Sequence, residues 1–294
     1  MRVTISGGSG LIGSALAAAL SARGDEVTLL SRSGSGGATA WDPLSGPAPA
    51  SALEGRDAVV SLAGEPIAQR WTKAARESIR RSRLEGTANL LAGIAACSTP
   101  PRALVGASAV GYYGNRGEEP LSEDAAPGSD YLAQLCVQWE QTALDGGARA
   151  ALRVCVLRTG VVLDRRGGAL AKMLPPFRLG VGGPVAGGRQ YMSWIALADL
   201  VAMYTAAIDD ERWSGALNAT GPAPARNGEF AHALGRVLHR PAFFPVPAAA
   251  LRLLYGDMAQ IVTDSQNALP ARAVALGFEF RYGALDAALR AALS

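Results

Sequence analysis

The chain has 294 residues, enough for one large domain or two closely joined ones, with 49% hydrophobic residues, 18% charged residues and a formal charge of only +3. So small a net charge gives no bulk attraction to nucleic acid or to a membrane. Three cysteines without a CxxC pair (Cys97, Cys136 and Cys155) and two isolated histidines (His232 and His239) exclude a disulfide framework and suggest no zinc site.

The thiols read as buried and free in a reducing cytosol. The two histidines read as ordinary helix or loop residues. No basic segment followed by an apolar one precedes the first strand pattern, so a signal peptide is not expected. The apolar run Ala15–Leu20 is too short to span a bilayer. The expectation is a cytoplasmic protein with no membrane and no nucleic-acid partner.

The first element is Val3-Thr4-Ile5-Ser6, short, β-branched and apolar, which predicts a buried strand. Gly7, Gly10 and Gly13 follow at a three-residue spacing. Ser14–Ala22 then predicts a helix closed by Gly24, and Val27–Leu30 a second buried strand. In such a unit Gly7 permits the tight turn, Gly10 admits a pyrophosphate at the helix N-terminus, and Gly13 lets the helix pack closely on the sheet. Ser9, Leu11 and Ile12 share that turn and are candidate contacts. The pattern predicts dinucleotide binding.

The second strand ends in Ser31-Arg32-Ser33, with no carboxylate to hold a ribose 2′-hydroxyl. Arg32 can grip a 2′-phosphate through its planar fork, and the serines can donate hydrogen bonds. This favours NADP over NAD.

Strand and helix patterns then alternate. Asp57–Gly64 predicts a strand and small turn, Leu84–Cys97 a helix, Arg102–Gly114 a strand ending in a polar loop, and Ala150–Leu163 a further strand. Alternation implies a parallel sheet with right-handed crossovers and ligands at the carboxyl ends of its strands. The expected fold is α/β, a doubly wound parallel sheet of Rossmann type with a smaller C-terminal α/β lobe. The expected division is residues 1–165 for the nucleotide domain, with later residues adding to its sheet, and 166–294 for the substrate lobe.

The glycine turn, the strand Asp57-x-x-x-x-x-Ala63-Gly64 and the Ser108…Tyr113-Gly114 strand together resemble the short-chain dehydrogenase/reductase superfamily. "RQYMSWIALADL" resembles its extended, epimerase/dehydratase-like branch. "SLAGEPIAQRWT", "SAVGYYG", "LCVQWE" and "ALPARAVALGFEFRY" resemble an atypical NADP-binding subgroup with a small C-terminal domain, mostly described as sugar-nucleotide epimerases or oxidoreductases. The resemblance covers nearly the whole chain. It implies that Asp57 lies near the adenine and that Leu62, Ala63 and Gly64 line the pyrophosphate and nicotinamide-ribose side. It also implies a catalytic Ser and Tyr, with a Lys four residues after the Tyr lowering its pKa.

Ser108 and Tyr131 have the right separation, with Tyr131 at a helix start, but Leu135 stands where the Lys belongs. Arg83 occupies a helix position where the superfamily often has Asn, and is a candidate cofactor contact and substitute cation. Tyr113 and Tyr112 compete with Tyr131 as proton donor.

Met173–Ile195, dense in Gly and Pro, predicts a long loop carrying Arg178, Arg189, Gln190, Ser193 and Trp194 as a lid or substrate wall. Asp199 reads as a helix N-terminal stabiliser. Asn218–Pro241 predicts a strand end, a loop and an amphipathic helix, and "FEFRY" a final strand. The expected function is NADP-dependent hydride transfer on a small polar metabolite, with a nucleotide-linked sugar as one candidate. The alternative is a non-catalytic NADP(H)-binding redox sensor. A homodimer is left open.

Overall fold

The computed structural model describes residues 1–294. The strands are β1 (Arg2–Ser6), β2 (Glu26–Ser31), β3 (Thr39–Ala40), β4 (Ala58–Ser61), β5 (Ala103–Ala109), β6 (Pro120–Leu121), β7 (Arg153–Thr159), β8 (Val161–Leu163), β9 (Tyr191–Met192), β10 (Trp194–Ala196), β11 (Gly215–Ala219), β12 (Ala225–Arg226) and β13 (Asn267–Ala268). The helices are α1 (Leu11–Ala22), α2 (Lys73–Ala95), α3 (Tyr131–Arg149), α4 (Gly168–Arg178), α5 (Leu197–Asp209), α6 (Asn227–Leu238), α7 (Ala248–Tyr255), α8 (Gln260–Thr263), α9 (Ala271–Ala275) and α10 (Leu285–Leu293).

Seven strands form one parallel sheet in the order β11-β7-β5-β4-β1-β2-β3. Both faces are covered. Val3, Ile5, Val60, Val105 and Leu157 face Leu16 of α1 and Leu200 and Met203 of α5. Val59, Leu104 and Val156 face Leu90 and Ile94 of α2 and Ala143 of α3. The doubly apolar strands of the sequence are therefore buried on two sides, as a parallel sheet requires. A separate core of Leu163, Leu170, Leu174, Phe177, Trp194, Phe230 and Leu289 holds the C-terminal lobe. Beyond residue 165, β11 returns to pair with β7 at the edge of the main sheet, as the expected contribution of later residues to that sheet requires.

Four element expectations need correction. The helix expected from Leu84 begins at Lys73, capped by Thr72 Oγ1 accepting from Ala75 N–H at 3.1 Å. Its early turns are rich in Arg and Glu and bury only Ile79, so apolar periodicity misses them. The strand expected over Ala150–Leu163 is two strands. Gly160 separates them, where any Cβ would strike the Ser193 carbonyl oxygen, and β8 pairs with β10 instead of the main sheet.

The Met173–Ile195 loop contains the end of α4, which continues through Pro175 and Pro176 because Leu170, Leu174 and Phe177 anchor one face of it. "FEFRY" is not a strand. Phe278 packs edge-on against Trp213, and Phe280 against Phe278, so these aromatics seal the main core instead of joining a sheet.

Candidate active site

Strand order reverses between β1 and β4, so their carboxyl ends flank a crevice. Gly7 leaves β1 at φ +77, and a Cβ there would lie 2.7 Å from the Leu62 carbonyl carbon and 2.8 Å from Ala63 N. A Cβ on Gly13 would strike the Gly7 carbonyl oxygen. Gly10 is different, since its Cβ would meet only Gly7 O at 3.4 Å, an ordinary contact. The protein's own packing thus demands glycine at 7 and 13 but not at 10. At Gly10 the freed surface is exposed at the start of α1. Gly10 caps α1 without a side-chain hydrogen bond, and the first turn holds no acidic residue. The leading N–H groups, at Leu11 and Ile12 beside exposed Ser9, therefore present an uncompensated positive end suited to an anion.

At the end of β2, Ser31 Oγ accepts from Gly34 N–H at 3.1 Å, and Ser33 Oγ lies 2.7 Å from Ser35 Oγ. Arg32 between them is exposed and makes no hydrogen bond or ion pair within the chain. A dinucleotide fits this donor set: backbone N–H groups for the pyrophosphate, and a free guanidinium one strand away.

Asp57 does not belong with them. It precedes β4, at the amino edge of the sheet, roughly 13 Å from the carboxyl edge along that strand. Its carboxylate accepts from Arg2 N–H at 2.7 Å and from Arg102 at 2.8 Å, and these partners hold its pKa below the usual range. The expectation that Asp57 faces the adenine is corrected to a sheet-edge role.

Arg83 of α2 lies against the Leu62-Ala63-Gly64 turn. A Cβ on Gly64 would stand 3.4 Å from its guanidinium carbon. Its Nη1 donates to the carbonyls of Glu65 (3.1 Å) and Ile79 (3.2 Å), and the guanidinium lies 5.0 Å from the Trp139 ring centre. No carboxylate pairs with it, and burial pulls its pKa below the usual arginine value.

The three expected catalytic side chains are not brought together as a catalytic set. Ser108 lies on the β5 face covered by α3, and its hydroxyl donates to Glu140 Oε1 at 2.5 Å. Tyr113 is fully buried, its hydroxyl donating to Asn218 Oδ1 at 2.7 Å and accepting from Arg158 Nη1 at 3.0 Å. Burial raises its pKa. It is therefore corrected from proton donor to core residue. Tyr131 does open α3, with Asp130 as N-cap. Its ring meets Trp71 edge-on at 5.2 Å, and its hydroxyl donates to the Arg76 carbonyl at 3.1 Å. Burial raises its pKa, opposed by Arg83 and Arg76. Leu135, in the lysine position, is buried against Trp71 and Ile79. The chain has only two lysines, Lys73 and Lys172, and Lys172 Nζ reaches the Ala68 carbonyl at 3.5 Å.

What sequence reading missed is the polar row beneath these residues. Ser108, Arg158 and Asn218 are register partners across β5, β7 and β11. Arg158 donates to both oxygens of Glu140, at 2.9 and 2.8 Å, and its guanidinium carbon sits 3.4 Å from the Tyr112 ring centre. Burial opposes its charge, but Glu140 outweighs burial and holds the guanidinium more firmly protonated. Cys136, beside the row, has its pKa pushed up to about 12 by burial. A signal was available: an arginine inside the apolar strand "VCVLRT" needs a buried partner.

In the expected lid, Gln190, Ser193 and Trp194 are buried and structural, while Arg178 and Arg189 are exposed. Asp199 stands in the first turn of α5, but its carboxylate accepts from the N–H groups of Arg281 (2.9 Å) and Tyr282 (3.0 Å) and so ties down the C-terminal segment. Asp264 was not foreseen. Its half-buried carboxyl makes no hydrogen bond. Burial and the nearby Asp130 carboxylate raise its pKa to about 6, against the pull of Arg252.

Fold and crevice together define a dinucleotide-binding α/β protein. Residues 3–218 match the NAD dependent epimerase/dehydratase family, and residues 246–292 match a domain of unknown function, DUF1731. The human epimerase family protein SDR39U1 is 40% identical over 295 residues, covering 99% of each chain. The epimerase family protein MT2273 of Mycobacterium tuberculosis is 42% identical, covering 98% of this chain and 96% of its own. The crystal structure of human SDR39U1 (isoform 2) with NADPH superimposes with a TM-score of 0.91 at 38% identity, covering both chains fully. A nucleoside-diphosphate sugar epimerase from Corynebacterium glutamicum gives 0.80 at 36% identity, covering 98% of this chain and 57% of that one. The chain belongs to the NAD-dependent epimerase/dehydratase family.

Glu140→Gln strands the Arg158 charge and is expected to cost about 3–5 kcal/mol in denaturant unfolding, with much of that regained in Glu140→Leu/Arg158→Met. Asp264 titrates from a reference value of 3.8 to about 6 on folding. Its raised pKa means that its contribution is present at low pH and is lost as pH rises through about 6. Asp264→Asn should therefore flatten the stability curve across that window and raise neutral-pH stability by about 1 kcal/mol, after discounting for solvent screening. Thermal unfolding across that pH range checks it.

Proposed function

We propose that the chain binds NADP(H) and is an oxidoreductase or epimerase-like enzyme acting on a small polar metabolite. The observation that carries the reading is the uncapped start of α1, open at Gly10, with an unpaired Arg32 at the end of the neighbouring strand. Gly7, Ser9, Gly10, Leu11, Ile12 and Gly13 would hold the pyrophosphate. Ser31, Arg32 and Ser33 would hold the 2′-phosphate, and Leu62, Ala63, Gly64 and Arg83 the nicotinamide side. When bound, the cofactor supplies or accepts the hydride. A relative crystallised with NADPH supports this choice, and the epimerase relatives support a nucleotide-linked sugar as one candidate substrate.

In this reading Tyr131 handles the substrate oxygen. The permanently charged Arg83 takes the part of the missing lysine, favouring the tyrosinate without itself titrating. Ser108 acts as a positioning residue, holding α3 through Glu140 while its own hydroxyl stays turned from the crevice.

A second reading, a non-catalytic NADP(H) sensor, is favoured by one observation: the Tyr131 hydroxyl is already engaged with the Arg76 carbonyl, and burial raises its pKa.

Nicotinamide fluorescence titration with NADPH and NADH, followed by a panel of carbonyls and nucleotide sugars, separates the two. Turnover establishes the enzyme. Tight NADPH binding without turnover across the panel favours the sensor, and no binding overturns both. Arg32→Ala is expected to weaken NADPH by roughly ten- to hundredfold, as for loss of a hydrogen bond to a charged group, and to leave NADH nearly unchanged.

A further inference from the structure

The C-terminal lobe carries an apolar surface that no part of the chain covers. Residues 178–186 and 240–246 run side by side. Arg240 Nε donates to the Arg178 carbonyl at 3.0 Å, Phe244 N–H to the Gly182 carbonyl at 3.3 Å, and Val246 N–H to the Pro184 carbonyl at 2.8 Å. Helix α7 follows directly and buries none of its residues. Large apolar side chains of these two segments and of α7 face solvent: Leu179 (78% exposed), Val181 (53%), Phe243 (65%), Phe244 (45%), Leu253 (80%) and Leu254 (64%). The two phenylalanine rings stack 4.6 Å apart. An exposed patch of this extent marks an interaction surface.

Charge tells what it faces. From Asp164 to Asp199 the chain holds no acidic residue and five cations, and from Glu229 to Asp257 no acidic residue, three arginines and both histidines. Lys172, Arg178, Arg240 and Arg252 have no ion-pair partner. Of these, Arg178 and Arg240 lie within the two paired segments, so the patch carries unpaired cations at its edge although the whole chain is nearly neutral. A two-fold contact between copies would set these cations against one another. Phenylalanine and leucine side chains bordered by free arginines match the interfacial layer of an anionic bilayer, which takes the apolar groups at its acyl boundary and the cations at its headgroups.

We propose that this face, Leu179–Val181 with Phe243-Phe244 and the exposed side of α7, attaches the protein peripherally to an anionic lipid surface. The attachment is reversible and needs both terms, burial of the apolar groups and attraction of the cations. No helix is long and apolar enough to cross a membrane.

The test is co-sedimentation of the full chain with vesicles of phosphatidylcholine alone or of phosphatidylcholine enriched in phosphatidylserine. The expected result is binding to the anionic vesicles only, released by high salt. Arg178→Glu/Arg240→Glu should lower the partition at least tenfold. Leu253→Ser/Leu254→Ser/Phe243→Ser should abolish it at every salt concentration. NADPH titration and thermal unfolding of each variant report the fold separately, and neither depends on this face. The proposal is overturned if the wild-type chain stays in the supernatant with anionic vesicles. Equal binding to both vesicle types, or unchanged binding of the serine variant, also overturns it. So does a dimer in sedimentation velocity that the serine variant dissolves, which would assign the face to a second copy.

Discussion

The buried ion pair between Glu140 and Arg158 is the constraint on which the Tyr131 side of the crevice rests. Arg158 sits within a strand that is otherwise apolar, and its charge can be buried only because both Glu140 oxygens meet it. Through that pair, α3 is fixed to β7. Through Ser108 it is fixed to β5, and through Tyr113 and Asn218 to β11. The carboxyl ends of three strands and the start of the helix bearing Tyr131 are therefore set relative to one another by one hydrogen-bonded layer. Such a layer specifies a single arrangement, since any slip leaves a buried charge unpaired.

On the other side of the crevice the determining constraint is steric. Gly7 and Gly13 are needed because backbone from β1, the Leu62 turn and α1 converges there. Gly10 is needed by nothing inside the protein, and this is what marks the adjacent surface as a place for a ligand. The helix start supplies donors without a counter-charge, and Arg32 supplies a cation without a partner. The two halves of the crevice are built on different physics: packing and backbone dipoles on one, buried charge on the other.

The C-terminal segment packs against the Tyr131 side of the crevice. Asp257 pairs with Arg76, Met258 and Ile261 pack with Trp71 and Tyr131, and Asp264 faces the Asp130 cap of α3. The stretch matching a domain of unknown function thus contributes directly to the surroundings of Tyr131.

Local pattern in the sequence determined the strand–turn–helix start, the glycine spacing, the absence of a carboxylate after β2 and the alternation that implies a parallel sheet, because each depends on residues near one another in the chain. It also revealed that the lysine is missing. Tertiary structure alone decided which side of a strand each polar residue faces. Ser108 turns to α3, Tyr113 to Asn218 and Asp57 to the amino edge. Glu140 and Arg158, eighteen positions apart, became partners. It also laid residues 178–186 beside 240–246, two segments distant in the chain, with apolar side chains of both exposed. Composition sums charge over the whole chain, and only folding distributes it over a surface.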